Sequence, residues 1–410
     1  VTLRDPTQEL VLLPSLRASP GHDGRIVMTQ KFLNGVAAYA RAWPGPVHVL
    51  AEISEHATND LDHVEIDPRA PDAVVSARPT DPAELADRLR HAAAVLGFLS
   101  PYQLDIAQRC QSMGVPLIFT SEYSPRTEKQ IADAGTRNPV LRWRRKLWID
   151  AAERKRIAAL RMAAGIQCSG TPAYEHYRSY HDNALLFFDN RVPIESVISA
   201  QALELKLADL ATGRPLRLVF GGRLIAMKGV LDLPRIALRL RRRGVPFTLD
   251  IYGAGQLEGK LRADIARHAL GDSVVLRGVV DFTSGWVPLL KERVDLFICT
   301  HPQGDPSSTY PEVMSCGVPI VGYDNEAFTG IVRESRSGWL CRMHDVDAMA
   351  TTIARLAAAR REIADAARLA REFARRHAFE ITFSRRARHL IESSRLKDDV
   401  KRDALRAMPA

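Results

Sequence analysis

The chain reads as an α/β protein of two domains, each an open sheet of parallel strands covered by helices. Three observations predict this. Short apolar runs alternate with helical stretches, and the alternation occurs twice along the 410 residues. A mixed polar and apolar stretch, Glu195–Arg214, separates the two series and ends in Thr212-Gly213-Arg214-Pro215, a strong turn signal. The length suits two domains of roughly 150 residues each. We therefore place the first domain at 1–200 and the second at 213–377.

In the first series Leu10–Leu13 (LVLL), Val47–Ala51, Val95–Ser100, Pro116–Ser121 and Ala184–Phe188 are short apolar runs of strand length. Met28–Trp43, Asp81–Ala94, Tyr102–Met113 and Val140–Ala164 between them are helical. Such alternation implies parallel strands joined by crossover helices. The second series has strands at Leu216–Phe220, Phe247–Tyr252, Val274–Arg277, Asp295–Thr300 and Pro319–Tyr323. Its helices fall near Val230–Arg242, Gln256–Ala269 and Asp345–Arg376, with a terminal amphipathic helix at Phe379–Arg395. Ligands of such sheets sit at the carboxyl ends of the strands, so the loops there carry function.

Composition narrows the class. A charged fraction of 26% against 46% hydrophobic residues is that of a globular protein, not a disordered one. No run of about 18 apolar residues is present to span a membrane. The start VTLRDPTQELVLLPS has no basic region before an apolar core, so no signal peptide is expected. Cys110, Cys168, Cys299, Cys316 and Cys341 are widely spaced and odd in number, which suits small core residues of a reduced, cytoplasmic protein. The net charge of +9 is concentrated at Arg137–Arg161, with nine Lys and Arg against two acids, and at Arg355–Arg406, with fifteen against eight. Neither stretch interleaves aromatic residues for base stacking, so nucleic acid is set aside as a partner.

Four loops carry chemistry. Phe220-Gly221-Gly222-Arg223 leaves the first strand of the second domain and Lys228-Gly229 precedes its helix; two cations there suit a diphosphate, although solvated bases on a glycine turn give the same pattern. Gly253 and Gly255 form a second strand-to-helix glycine loop, for which packing is the plainer reading. Ser307-Ser308-Thr309 opens a short helix closed by Gly317, and the free N–H groups of a helix start suit an anion. Thr309 and Glu312 have capping-box spacing, so Glu312 either caps the helix or accepts hydrogen bonds from ribose hydroxyls. Asp305, seven residues earlier, either touches a sugar hydroxyl or ends the loop.

The order of these motifs is more specific than any one of them. Gly-Gly-Arg…Lys-Gly, Tyr-Gly-x-Gly, Leu-Arg-Gly, Pro-Glu-x-x-x-Cys-Gly-Val-Pro-Ile-Val and Ser-Gly-Trp-Leu, over Leu216 to about Leu356, resemble the retaining family-4 (group 1) nucleotide-sugar glycosyltransferases. That resemblance implies the GT-B fold, two Rossmann-like domains facing across a cleft, with the C-terminal segment 378–410 crossing back to the first domain. It implies a UDP- or GDP-linked sugar as donor, transfer with retention, and neither a metal nor another cofactor. Arg223 and Lys228 then bind the diphosphate, and Glu312 the ribose. Arg277-Gly278-Val279 lies beside the base, and Gly222, Gly253, Gly255, Ser308, Thr309 and Tyr310 complete the donor side. In such a reaction the leaving diphosphate oxygen takes the acceptor proton, and the enzyme stabilises the charge left behind.

Three departures from the family wording stand out. Gly304 occupies the place of a Glu eight positions before the ribose Glu, which leaves Asp305 as its substitute. Glu326-Ala327-Phe328-Thr329-Gly330 replaces a Gly-Gly-x-x-Glu. After PLIFTS, Glu122 stands where a His is common; it either polarises a sugar hydroxyl as a catalytic or acceptor-side group or ends the strand as an exposed acid. His22 is a further loop histidine, better read as a surface residue. Asn34-Gly35 resembles the family's first-domain glycine loop facing the cleft, which puts Gly35 on the acceptor side. Finally, Leu141-Arg-Trp-Arg-Arg-Lys-Leu-Trp148 places Leu141, Trp148, Ala152 and Ala159 on one helical side among cations. Either its Trp residues pack on their own domain, or the helix meets an anionic membrane surface. The second reading suits a lipid-linked acceptor, as in polysaccharide assembly, and a protein peripheral to the inner face of a membrane. A sugar-nucleotide binding protein without turnover is the alternative to an enzyme.

Overall fold

The computed structural model describes residues 8–55, 62–69, 74–136 and 138–408. Val1–Thr7 and Arg137, which begin the N-terminal stretch and the basic segment read above, lie outside the described residues. In chain order the strands of the first half are β1 (Leu10–Leu13), β2 (Ser19–Pro20), β3 (Ile26–Thr29), β4 (Val47–Ala51), β5 (His63–Ile66), β6 (Val74–Ala77), β7 (Ala94–Phe98), β8 (Leu117–Ser121), β9 (Gly165–Ser169) and β10 (Ala184–Phe187). Seven of them form one parallel sheet ordered β10-β9-β8-β7-β1-β4-β6, and β2, β3 and β5 form a small antiparallel sheet. All four residues of β1 are buried, as expected of a central parallel strand covered on both faces.

The second half contributes β11 (Leu216–Gly221), β12 (Phe247–Tyr252), β13 (Val274–Gly278), β14 (Leu296–Cys299), β15 (Ile320–Tyr323) and β16 (Trp339–Cys341), a second parallel sheet ordered β13-β12-β11-β14-β15-β16. The order runs outward in both directions from the β11–β14 pair, which makes that pair the switch point of the sheet. The fold is GT-B: two Rossmann-like domains, with the helix Phe379–Ser393 crossing back onto the first. Phe383, Ala387, Leu390 and Ile391 of that helix are buried in the core of the first domain with Leu10, Val36 and Tyr39.

Four differences from the sequence reading have physical causes. β9 was not expected, because Gln167 interrupts its apolar run. That side chain is fully buried and satisfied by the crossing helix, accepting from Arg386 Nε at 2.9 Å and donating to the Arg386 carbonyl at 2.9 Å. The expected helix Asp345–Arg376 is two helices, Val346–Ala358 and Arg360–Arg376, broken at Ala359 with φ −111° and ψ 54°. The helix Ala200–Ala211 buries Leu203, Leu207 and Leu210 in the core of the second domain, so that domain begins upstream of residue 213. Gly35 lies inside the helix Gln30–Ala42, not in a loop, and a Cβ there would come within 2.9 Å of the Phe383 ring. Its smallness serves the packing of the crossing helix.

The helix Pro139–Leu160 begins with Asn138, whose side chain accepts from the Val140 and Leu141 N–H groups, and with proline at its first position. Ile149, Ala152, Arg156 and Ala159 face the protein. Trp143 is 61% exposed and Trp148 51%, with Val140, Leu141 and Leu147 exposed beside them. The Trp residues therefore do not pack on their own domain, and the expected single side splits: Ala152 and Ala159 are inside, Leu141 and Trp148 outside. Among the described residues no helix is long and apolar enough to cross a membrane.

Candidate active site

β11 and β14 end side by side, and the loops that follow them are pressed together. At Gly229, φ +62°, a Cβ would sit 1.9 Å from the Thr300 carbonyl oxygen, so only glycine allows this approach. Thr300 Oγ1 donates to the Lys228 carbonyl at 2.8 Å and Gln303 Nε2 to the Met227 carbonyl at 3.0 Å. Between them the buried Lys228 donates from Nζ to Asp305 Oδ2 at 2.8 Å. The cation expected at the diphosphate and the acid expected at the sugar are thus an ion pair. Arg223 is exposed and, among the described residues, its guanidinium makes no hydrogen bond or ion pair.

The second glycine loop is bound to the first through backbone. Gly253 N–H donates to the Gly278 carbonyl at 2.7 Å, and at φ +126° a Cβ on Gly253 would lie 1.9 Å from the Gly222 carbonyl oxygen. A Cβ on Gly255, φ +158°, would lie 2.6 Å from the Leu224 carbonyl oxygen. Both glycines hold the floor of the site by packing. Arg277 turns its side chain to Asp250, Nε to Oδ1 2.8 Å, and leaves the exposed Val279 at the edge where a base is expected.

The helix after β14 is Thr309–Ser315. Its start has no side-chain cap; Ser307 Oγ donates to Thr309 Oγ1 at 3.1 Å instead, and Pro311 has no N–H. The Ser308 and Thr309 N–H groups make no hydrogen bond among the described residues, which keeps them open to an anion. The capping box expected of Thr309 and Glu312 is not formed. Glu312, with its side chain 3% exposed, accepts from Arg191 Nε at 2.6 Å and Arg191 Nη2 at 3.3 Å, and the Arg191 guanidinium lies 4.0 Å from the centre of the Phe282 ring. Tyr310, expected on the donor side, is turned into the core with its hydroxyl 3.3 Å from His301 Nδ1. His301 is itself buried, with Nε2 unpartnered, and burial together with nearby Lys228 holds its pKa well below the usual value.

Across the cleft the first domain presents a second charged group. Lys31 lies 2.5 Å from Asp189 Oδ2. Burial lowers the lysine pKa, but the charges of Asp189, Glu312 and Glu122 outweigh it and the net direction is up. Glu122, just past β8, is an exposed acid with charged groups of both domains around it. Burial first, then Asp189 and Asp305, raise its pKa against the pull of Lys31 and Arg386. Glu122 has no hydrogen-bond partner among the described residues, so its carboxyl is available to a hydroxyl. His22 is outside this group, with its side chain 93% exposed beside Glu65.

Two of the three departures lie where the domains touch. Ser124 caps the helix Pro125–Gly135 by accepting from the Thr127 N–H, and this helix reaches the loop after β14. Gln130 Oε1 accepts from the Gly304 N–H at 2.9 Å, and a Cβ on Gly304 would meet Thr127 Oγ1 at 3.0 Å. Glu326 pairs with Arg126 at 2.7 Å, and a Cβ on Gly330 would overlap Thr171 Oγ1 at 1.7 Å. A polar cavity of about 730 Å³ beside this seam is lined by Arg126, Lys129, Glu175, His176 and Arg333. Its cations are already paired, Arg126 with Glu326, Lys129 with Asp150 and Arg333 with Glu175, whereas Arg223 is free. The free charge favours the β11–β14 side for a diphosphate. Sequence reasoning missed Arg191, Lys31 and Asp189; each is a lone charge with no motif spacing, and only the fold brings them to the cleft.

Residues 215–359 match the family model described as Glycosyl transferases group 1, so the second domain is a group 1 glycosyltransferase domain. The chain is 29% identical over 150 residues to WcaL of Salmonella typhimurium, named for colanic acid biosynthesis, a match spanning 35% of this chain and 36% of that protein. It is 29% identical over 165 residues to the amylovoran biosynthesis glycosyltransferase AmsK of Erwinia amylovora, covering 39% of this chain and 40% of the relative. Among solved structures, Anabaena HepE in complex with UDP superposes with a TM-score of 0.64 at 14% identity, over 94% of this chain and all of the other. The lipopolysaccharide outer core galactosyltransferase WaaB gives 0.64 at 12% identity, over 94% and 99%.

Proposed function

We propose that the chain is a retaining glycosyltransferase that moves a hexosyl group from a UDP- or GDP-linked sugar to a hydroxyl acceptor. The observation that carries this reading is the set of groups at the β11–β14 switch point: free Arg223, buried Lys228, the open Ser308 and Thr309 N–H groups and the Glu312 carboxylate. They offer cations and donors to a diphosphate and an acceptor to ribose hydroxyls, on a domain that matches group 1 glycosyltransferases. Charge growing on the leaving diphosphate is stabilised by these cations and N–H groups, and no metal is invoked. Lys228 is released to the phosphates as Asp305 turns to the sugar. Glu122, unpaired on the facing wall, orients the acceptor hydroxyl. The test is incubation with a panel of UDP- and GDP-sugars and candidate acceptors, with nucleotide release and anomeric configuration followed by chromatography and NMR. Release of nucleotide with a retained anomer is expected; binding without turnover under every acceptor would favour a sugar-nucleotide binding protein.

The acceptor in this reading is a lipid-linked or cell-surface glycan precursor, met at an anionic membrane surface. The exposed face of Pro139–Leu160 supports it. Val140, Trp143, Leu147 and Trp148 are exposed, and Arg144, Arg145, Arg154 and Lys155 beside them make no ion pair among the described residues. The same helix packs on Pro125–Gly135, which reaches the cleft at Gly304. Sedimentation with vesicles of anionic and of purely zwitterionic lipid tests this: binding to the anionic vesicles alone, weakened by salt, is expected.

A further inference from the structure

Arg191 stands outside every motif in the sequence, yet it makes the closest contact to the Glu312 carboxylate in the protein. Its guanidinium approaches both carboxylate oxygens, at 2.6 and 3.3 Å, while its flat face lies 4.0 Å from the centre of the Phe282 ring. Phe282 follows β13 and the Arg277–Val279 edge, so Arg191 is clamped between the base side and the ribose side of the site. The chain around it fixes the clamp. Asp189 pairs with Lys31 of the first domain, and Asn190 Nδ2 donates to the His377 carbonyl at 3.1 Å and to Ser315 Oγ at 3.3 Å. Asp189, Asn190 and Arg191 thus hold three elements in sequence: the wall of the first domain, the turn into the crossing helix, and the donor helix.

A guanidinium that meets both oxygens fixes the orientation of the enclosed Glu312 carboxylate, and a carboxylate with two oxygens has lone pairs left after the guanidinium has taken its share. We propose that Arg191 is the positioning residue of the donor site: it fixes the Glu312 carboxylate and holds its remaining lone pairs toward the two ribose hydroxyls of the nucleotide. The inference rests on the reading of Glu312 as the ribose acceptor. Arg191 itself acts through Glu312, and the linker carrying it makes recognition of the ribose depend on how the domains are joined.

Calorimetry with UDP and GDP, each paired with its 2′,3′-dideoxy form, separates positioning from plain structural support. The intact protein is expected to prefer the ribose form of its nucleotide by roughly 10- to 100-fold, the range of hydrogen bonds to a charged group. In Arg191→Gln that preference collapses toward one, as it does in Glu312→Gln, and combining the two changes adds little. Arg191→Lys keeps the charge without the fork and restores part of the preference, which guards against a variant that merely folds poorly. Retention of the full preference in Arg191→Gln, with both nucleotides weakened alike, overturns the proposal. If the intact protein discriminates but Glu312→Gln does so equally well, the ribose reading of Glu312 falls and Arg191 with it. If the intact protein binds neither nucleotide, the function proposed above falls first.

Discussion

At the residue scale, the site is a set of charges held by specific partners, and the partners set what each charge can do. Lys228 reaches its place because Gly229 lets the loop close on Thr300, and its ammonium then meets Asp305 at 2.8 Å. In the proposed function a diphosphate competes with that carboxylate for the same ammonium. Lys228→Ala should therefore weaken UDP or GDP binding roughly tenfold or more while leaving the nucleoside unaffected, since charge-assisted bonds to phosphate are what it removes. Calorimetry with nucleoside and nucleoside diphosphate checks this; an equal loss for both would place Lys228 elsewhere. Lys228 and Glu312 could be singled out in the sequence because each sits in a motif with fixed spacing. The ions they face could not, because neither Arg191 nor the turn of Asp305 toward Lys228 leaves a mark in the local sequence.

At the element scale, two helices do work that their amphipathic patterns only half disclose. The crossing helix Phe379–Ser393 belongs to the core of the first domain although the chain reaches it last. Leu390 is fully buried there, so Leu390→Ala should cost roughly 2–5 kcal/mol in the denaturant stability of the protein. A loss below about 1 kcal/mol would mean the helix is only loosely docked. Pro139–Leu160 has the opposite character, with an apolar face turned outward. Trp143→Glu combined with Trp148→Glu should abolish binding to anionic vesicles with little change in thermal stability, because both side chains are more than half exposed. Undiminished vesicle binding would rule the face out. The missed strand β9 shows the limit of periodicity: a buried Gln is allowed in a central strand once the crossing helix supplies its partners, and that helix lies over two hundred residues away (|i−j| 219).

For the molecule as a whole, the joints between the domains are where sequence and structure diverge most. Gly304 and Gly330, both unlike the family wording, are two of the points at which the first domain touches the second, and the room for a side chain there is filled by Thr127 and Thr171. His377 marks the other joint, where the chain turns into the crossing helix, its ring packed on Phe188 and Phe373 with centroids 5.0 and 4.5 Å away. Burial, with Arg385 and Arg376 nearby, lowers its pKa to about 4. The unfolded chain takes up this proton below about 6.5 and the folded protein only below about 4, so acidification across that window favours unfolding. The loss from this group is complete below about 4 and amounts to roughly 3 kcal/mol. Denaturation series between pH 7 and 4 should show a shallower decline in His377→Phe than in the intact protein; parallel curves would show that the imidazole titrates as it does in the unfolded chain.

The sequence by itself determined the two series of parallel strands, the loops at their carboxyl ends and the order of motifs that marks the second domain. Each of these is written in neighbouring residues, through periodicity, turn chemistry and spacing. Tertiary structure alone decided which charges meet. Arg191 and Glu312 are separated by 121 positions, Lys228 and Asp305 by 77, and Thr127 and Gly304 by 177. A hydrogen bond or ion pair depends on ångströms in space, and until the chain has folded, residues so far apart carry no record of one another.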